Sequence, residues 1–251
     1  MTAEPEGTGD HRSRRVPAQG TIAFFFAMPI EAKPLVRALR LQRGPIGEGS
    51  GWIGWLGGRR VLAIVAGMGT ELAGAATRRL LEAEAVSLVV VVGISGGVDD
   101  ETPIGTVVRP EVVIDSASGT RFAPYPLGGA RRGALWTTDV ITPSGQLPGL
   151  REQGVVALDM ETAAVAAACD EHGVAWTVIR SLSDRPSDHV DDEVFAMSNQ
   201  DGTPDLGRVV RYVARHPGRV PALARMGRGV RVATERATDA AVSACAGLDE
   251  P

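Results

Sequence analysis

Aromatic side chains make up only 4% of this 251-residue chain, which leaves few rings to stack on a base or a sugar. Cysteine is scarcer: Cys169 and Cys245 stand alone, with neither CxxC nor metal-ligand spacing. Cys169 falls in an alanine-rich stretch and reads as a small core residue, and two unpaired thiols fit a reducing cytoplasm. His11, His172, His189 and His216 form no ligand pattern, so no metal and no cofactor are expected. Lysine is nearly absent. Lys33 is the only one, and the arginines that replace it reflect composition and not a phosphate site. No apolar run approaches the roughly 18 residues a membrane-spanning helix needs. A net charge of −4 gives no global attraction for nucleic acid.

What is present is the composition of a soluble α/β protein, with 44% hydrophobic and 22% charged residues. The length suits one large domain with a well-buried core. Residues 1–20 are polar, with a basic Arg12-Ser13-Arg14-Arg15 cluster, and read as a disordered leader. The apolar run Thr21 to Ile30 follows, but it stops at Glu31 and Lys33 without a small-residue cleavage site, which argues against a signal peptide. The catalytic domain is expected over 21–204. Residues 205–251 form an Arg-rich tail of two helices, separated at Pro217-Gly218, that pack on the domain or extend from it. Between 206 and 236 the tail carries eight arginines against Glu235 alone. That makes either a solvated face or a contact with an anionic membrane surface or acidic partner.

Ile22 to Ala27 reads as a buried strand, and Pro29 starts a helix whose Ala32, Leu35, Val36 and Leu39 recur at helical spacing. Trp52–Leu56 and Val61–Val65 form a hairpin about Gly57-Gly58. Gly67-Met68-Gly69 then opens a helix, but Leu72 stands where a dinucleotide loop needs its third glycine. Ser87 to Val92 is apolar without a break from Leu88, the mark of a central parallel strand, and it ends in Gly93-Ile94-Ser95-Gly96-Gly97. A strand over 107–114, another over 135–142 and a mobile loop over 143–154 follow. Val155–Leu158 and Ala175–Ile179 are read as parallel strands joined by a helix that stops at Gly173. This puts Glu161 and Asp184 together beyond the strands' carboxyl ends, where open α/β sheets bind small molecules. Each of Glu31, Glu161 and Asp184 is equally open to a local explanation, as a carboxylate near a helix N-terminus or capping a loop.

Five landmarks in order, Ala27-Met28-x-x-Glu31, Gly67-Met68-Gly69, Gly93-Ile94-Ser95-Gly96-Gly97, Asp159-Met160-Glu161 and Arg180-x-x-Ser183-Asp184, resemble the purine and uridine phosphorylase superfamily. They are most similar to its methylthioadenosine/S-adenosylhomocysteine nucleosidases. The GI-x-GG and DME variants and the Arg-rich tail also resemble its hopanoid-associated nucleosidases. The resemblance implies a three-layer α/β/α fold around a mixed central sheet, a homodimer, and cleavage of an N-glycosidic bond in a purine nucleoside. It implies that Asp184 protonates adenine at N7 with Ser183 orienting it, and that Glu31 activates water. It further implies that Met160 and Glu161 grip the ribose, and that Ser95, Gly96 and Thr142 contact the substrate.

The chemistry wants these residue types. Adenine is a poor leaving group unless an acid meets it as the bond breaks, help worth about 10²–10⁴-fold. An Asp acts as an acid near neutrality only where burial or a like charge raises its pKa. A developing oxocarbenium ion favours carboxylates nearby. Departures from the family pattern are also visible. Ile94 stands where the nucleosidases place a serine, with Ser95 one position later, and Ile141 replaces a phenylalanine that packs on the base. The phosphorylases' phosphate-binding arginines are missing, since the region before the glycine run is Val89-Val90-Val91-Val92. The expected activity is hydrolysis of a 5′-modified adenosine. Phosphorolysis and silent nucleoside binding are the alternatives.

Overall fold

A computed structural model describes residues 20–188, 211 and 215–249. The chain alternates strands and helices: β1 (Thr21–Phe26), α1 (Pro29–Ala38), β2 (Gln42–Ile46), β3 (Gly49–Leu56), β4 (Arg59–Val65) and α2 (Thr70–Ala83). These are followed by β5 (Val86–Gly97), β6 (Val107–Val108), β7 (Val112–Asp115), β8 (Arg121–Phe122) and β9 (Ala134–Thr137). The series ends with α3 (Leu147–Glu152), β10 (Val155–Asp159), α4 (Thr162–Glu171), β11 (Ala175–Asp184) and α5 (Val220–Ala246). All the strands join one 11-stranded mixed sheet.

The apolar runs lie where burial on both faces requires them. β5 is flanked in parallel by β1 and β11, and Leu88 to Val92 are buried throughout. Alternate residues feed two cores. Val89 and Val91 pack with Ala73 and Leu80 of α2 and Ala163, Ala166 and Cys169 of α4. Leu88, Val90 and Val92 pack with Ala32 and Leu35 of α1 and Ala237, Ala241 and Cys245 of α5. Helices therefore cover both sides, which is the expected three-layer α/β/α arrangement.

Several expectations are corrected. β10 and β11 are not paired neighbours: β11 runs parallel to β5, whereas β10 meets the end of β5 antiparallel at Gly96 and Gly97. The glycine run 93–97 is no loop, because the ladder to β11 continues through it. The single strand expected over 107–114 is two, split at Arg109-Pro110, where proline has no N–H to give the ladder. β9 stops at Thr137, since Thr138 donates its N–H to the Asp159 carbonyl at 2.9 Å and Asp139 turns to receive the Thr70 N–H at 2.8 Å. The loop expected over 143–154 contains α3, anchored by buried Leu147 and Leu150. Gln42–Ile46 adds an edge strand that the sequence reading missed.

Residues 1–19, within the expected leader, and nearly all of the first helix expected in the tail lie outside the described residues. The second expected helix runs on to Ala246 as α5. Its buried face is built of small residues, Gly229, Ala233, Ala237 and Ala241 among them, that let it lie close on the sheet. No helix among the described residues is long and apolar enough to cross a membrane.

Candidate active site

Strands β1, β5 and β11 run side by side, so their carboxyl ends open together. A cavity of about 440 Å³ elsewhere, lined by Asp99, Arg132 and Arg151, is shallow. The larger one, about 530 Å³, lies at those strand ends. Its wall includes every residue the sequence singles out: Glu31, Ser95, Gly96, Thr142, Met160, Glu161, Ser183 and Asp184. Ala27, Met68, Leu158, Met226 and Val230 make much of the remainder apolar, and half-exposed Ile141 stands at its mouth.

Glu31 occupies the first turn of α1 and is buried. One carboxylate oxygen accepts the N–H groups of Ala27 at 3.1 Å and Met28 at 2.9 Å, which caps the helix. The other accepts the Ile94 N–H at 2.8 Å and so ties α1 to β5. The local explanation therefore holds, and the same side chain also lines the cavity. Glu161 is different. It is the N-cap of α4 but makes no cap bond there. Its oxygens accept instead from the Gly69 N–H at 3.2 Å and from Arg180 Nη2 at 3.0 Å. Gly69 presents that amide with φ 98°, a conformation suited to glycine.

Arg180, completely buried in β11, holds the carboxylates together. Its Nε and Nη2 bond Asp159 Oδ2 at 3.0 and 2.5 Å, Nη2 also reaches Glu161, and Nη1 lies 3.8 Å from Glu31. Asp159 receives Thr137 Oγ1 at 2.7 Å on its other oxygen, and the Thr162 hydroxyl beside the arginine. Space for this cluster exists because position 93 is glycine: a Cβ there would overlap both Glu31 Oε1 and Arg180 Nη1. Neither Arg180 nor Asp159 was expected to be part of the site. The available signal was a lone arginine within an apolar strand, which must be paired if buried.

Charge balance tunes the carboxyls. Burial opposes the guanidinium charge of Arg180, but Asp159, Glu161 and Glu31 hold its pKa above the ordinary value. Burial pushes Glu31 up, and Arg180 with the three backbone N–H groups pulls it only part of the way back. Burial, with Asp159 and Glu31 nearby, lifts Glu161 to about 7 against the pull of Arg180.

Asp184 ends β11 and lines the same cavity. Burial raises its pKa, Ser183 lowers it and Asp188 adds a further upward push. Ser183 Oγ donates to Asp184 Oδ1 at 2.6 Å, whereas Oδ2 lies beside Gly96 and has no hydrogen-bond partner among the described residues. The adjoining loop is capped by Asp188, which receives the Arg185 N–H at 2.8 Å. Asp184 is thus free of that structural duty. The site accordingly has one carboxyl, Asp184, raised by burial with a serine but no cation bonded to it, and a buried carboxyl cluster gathered on Arg180. Among the described residues no group of His, Cys, Asp and Glu could hold a metal ion.

Residues 21–131 and 128–215 match the family model described as the phosphorylase superfamily. No curated protein matches the chain in sequence. Among solved structures, the 5′-methylthioadenosine/S-adenosylhomocysteine nucleosidase of Neisseria meningitidis, in complex with methylthio-immucillin-A, superposes with a TM-score of 0.67 at 19% identity, covering 91% of this chain and 99% of that one. The apo 5′-methylthioadenosine nucleosidase of Arabidopsis thaliana gives 0.69 at 18% identity, with 92% and 97% covered. A futalosine hydrolase mutant of Helicobacter pylori gives 0.66 at 13% identity, with 90% and 98% covered. At these identities the likeness is one of fold.

Proposed function

Because the chain belongs to the phosphorylase superfamily, we propose that it is a purine nucleosidase that hydrolyses the N-glycosidic bond of a 5′-modified adenosine. The observation that carries this reading is one cavity lined by three carboxyls whose pKa burial raises, of which Glu31 and Glu161 lie against the Arg180 guanidinium and Asp184 does not. Pairs of titratable groups in such contrasting surroundings divide into acid and base.

In this mechanism Asp184 Oδ2 gives its proton to N7 of the adenine ring as the C1′–N9 bond breaks, and the bonding pair leaves with the base. Positive charge develops on C1′ and the ring oxygen, where the carboxylate cluster stabilises it. Water attacks C1′ and yields a proton to Glu31. Adenine and a free sugar leave, and solvent returns the proton from Glu31 to Asp184. Glu161, already fixed by Gly69 and Arg180, offers its remaining lone pairs to the ribose hydroxyls, with Met160 packed beside it in the wall.

Charge supports water over phosphate. Arg180 is matched by three carboxylates, and Arg185 at the cavity wall spends its Nε on the Thr102 carbonyl at 3.2 Å. A phosphate dianion entering here would meet net negative charge in a partly dry site. The test is adenine release from methylthioadenosine, S-adenosylhomocysteine and 5′-deoxyadenosine, each with and without phosphate. Phosphate-independent release with a free sugar is expected. Release that requires phosphate would identify a phosphorylase, and tight binding without release would identify a silent nucleoside-binding protein.

A further inference from the structure

Two lips of the cavity are fastened to each other by a residue that does not itself line it. One lip is the loop after β9, which puts Thr138, Val140, Ile141 and Thr142 into the wall. The other is the turn before α2, which supplies Met68. Asp139 stands within the first lip, but its carboxylate is turned to α2. Its Oδ1 accepts the Thr70 N–H at 2.8 Å, and its Oδ2 accepts the Thr70 hydroxyl.

The local sequence explains why this contact is needed. Thr70 opens α2, and the N-cap before it is Gly69. Glycine has no side chain with which to cap a helix, so the first-turn N–H groups lack a local acceptor. The N–H of Gly69 itself is already given to Glu161. Asp139 brings the missing acceptor from 69 residues along the chain, and places negative charge at the positive end of the helix dipole. Adjacent amides of one turn are thus held by two carboxylates, Gly69 by Glu161 in the cavity wall and Thr70 by Asp139 behind it.

The loop depends on this bond as much as the helix does. Thr138 is tied to the Asp159 carbonyl. Beyond it, residues 139–142 make no other hydrogen bond to a neighbouring element among the described residues. Val140 and Ile141 are 68% and 48% exposed, so packing does little to hold them. The bonds from Asp139 to Thr70 therefore set the spacing of the two lips.

Resting on the nucleosidase reading above, we infer that Asp139 is a positioning residue for substrate binding, which fixes the 138–142 loop against the 67–69 turn so that the nucleoside is gripped between them. Glu31 and Asp184 stand on α1 and β11 with hydrogen bonds of their own, so loss of the fastening leaves the reacting groups in place. The lip residues meet the nucleoside alike in the ground state and the transition state. A contact of that kind is read in KM and not in kcat.

The experiment measures kcat, KM and thermal midpoint for Asp139→Ala, Asp139→Asn, Thr70→Val and the double variant of Asp139→Ala with Thr70→Val. The substrate is whichever of methylthioadenosine, S-adenosylhomocysteine and 5′-deoxyadenosine the wild type cleaves. Amide hydrogen exchange of 67–70 and 139–142 is followed in the ligand-free proteins. Asp139→Ala should raise KM about fivefold, the size of one net hydrogen bond, with kcat nearly unchanged and faster exchange in both segments. Asparagine can accept from the N–H and donate to the hydroxyl, so Asp139→Asn should recover most of the loss. Thr70→Val should raise KM less than Asp139→Ala does, and should add nothing to it in the double variant. An unchanged KM would overturn the inference, and a lowered midpoint beside it would reduce Asp139 to a helix cap. A loss confined to kcat would overturn it as well. So would additive effects in the double variant, because Asp139 would then act by a route other than Thr70. A wild type silent on all three nucleosides would refute the nucleosidase reading. Faster exchange in both segments of Asp139→Ala would even then sustain the fastening, and unchanged exchange would refute that too.

Discussion

Glu161→Gln should abolish turnover and yet strengthen the fold at alkaline pH. The argument rests on the sign of one titration. In the unfolded chain this carboxyl titrates near 4.5, and in the folded protein near 7, because burial and the adjoining Asp159 and Glu31 outweigh Arg180. Where the folded pKa is the higher, the native state binds more protons than the unfolded one. Stability is then fully present below pH 4.5 and is lost as pH rises through 7. That interval corresponds to about 3 kcal/mol, a large share of the 5–15 kcal/mol typical of a whole domain. Glutamine keeps the shape and an oxygen for the Gly69 N–H and Arg180 but does not ionise, so the variant escapes this loss. Arg180 keeps Asp159 and Glu31 as partners. Urea unfolding of both proteins at several pH values between 4.5 and 8 reads the difference directly. The stability of the variant relative to wild type should improve by about 3 kcal/mol across the range, while adenine release is lost. A relative stability independent of pH would refute the reasoning, since it would mean that Glu161 is ionised in the native state throughout.

Three further substitutions probe the rest of the site. Asp184→Asn removes the acid but keeps its shape, and should lower kcat by about 10²–10⁴-fold with the thermal midpoint nearly unchanged; full activity would exclude Asp184 as the proton donor. Gly93→Ala drives a methyl group into Glu31 and Arg180, and should destabilise by about 1–3 kcal/mol and inactivate, as read by urea unfolding and adenine release. Gly229→Ala sets a methyl group against the Ser183 carbonyl, with the backbone unable to yield cheaply. Displacing α5 from β11 at that point should shift Met226 and Val230 in the cavity wall and disturb Asp184 one residue away, so KM and kcat should worsen together.

The parts of this fold that were legible in the sequence are those in which one chemical pressure dominates. Val89 to Val92 must be buried on both faces, and they lie in the central strand between β1 and β11. Pro29 and Gly173 punctuate helices as their backbone preferences dictate. The failures occurred where tertiary contacts override local preference. Five residues rich in glycine read as a loop, yet 93–97 continues a strand, because the missing side chains make room for Glu31, Arg180 and Asp184 on its neighbours. Similarly, Pro143 to Gly154 has loop composition, but two leucines three apart find an apolar cluster and bring α3 with them.

The carboxylates of the site were visible because the chemistry expected of them has a sequence signature. Arg180 stood in the motif Arg180-x-x-Ser183-Asp184 but was assigned no role, although the cluster cannot exist without it. Three buried carboxylates without a cation would each face a desolvation cost of several kcal/mol, and protonating all three would leave no base. One guanidinium changes the outcome. Two of its nitrogens bond Asp159, which is further held by Thr137 and Thr162. What remains of its charge is shared between Glu161 and Glu31, at 3.0 and 3.8 Å. This graded pairing leaves those two carboxyls with raised pKa values, that of Glu161 at about 7. A lysine in the same place would offer a compact charge without the fork that binds Asp159 through two nitrogens. The charge balance of Glu31 and Glu161 is therefore set from β11, and no motif confined to α1 or β5 could have revealed it.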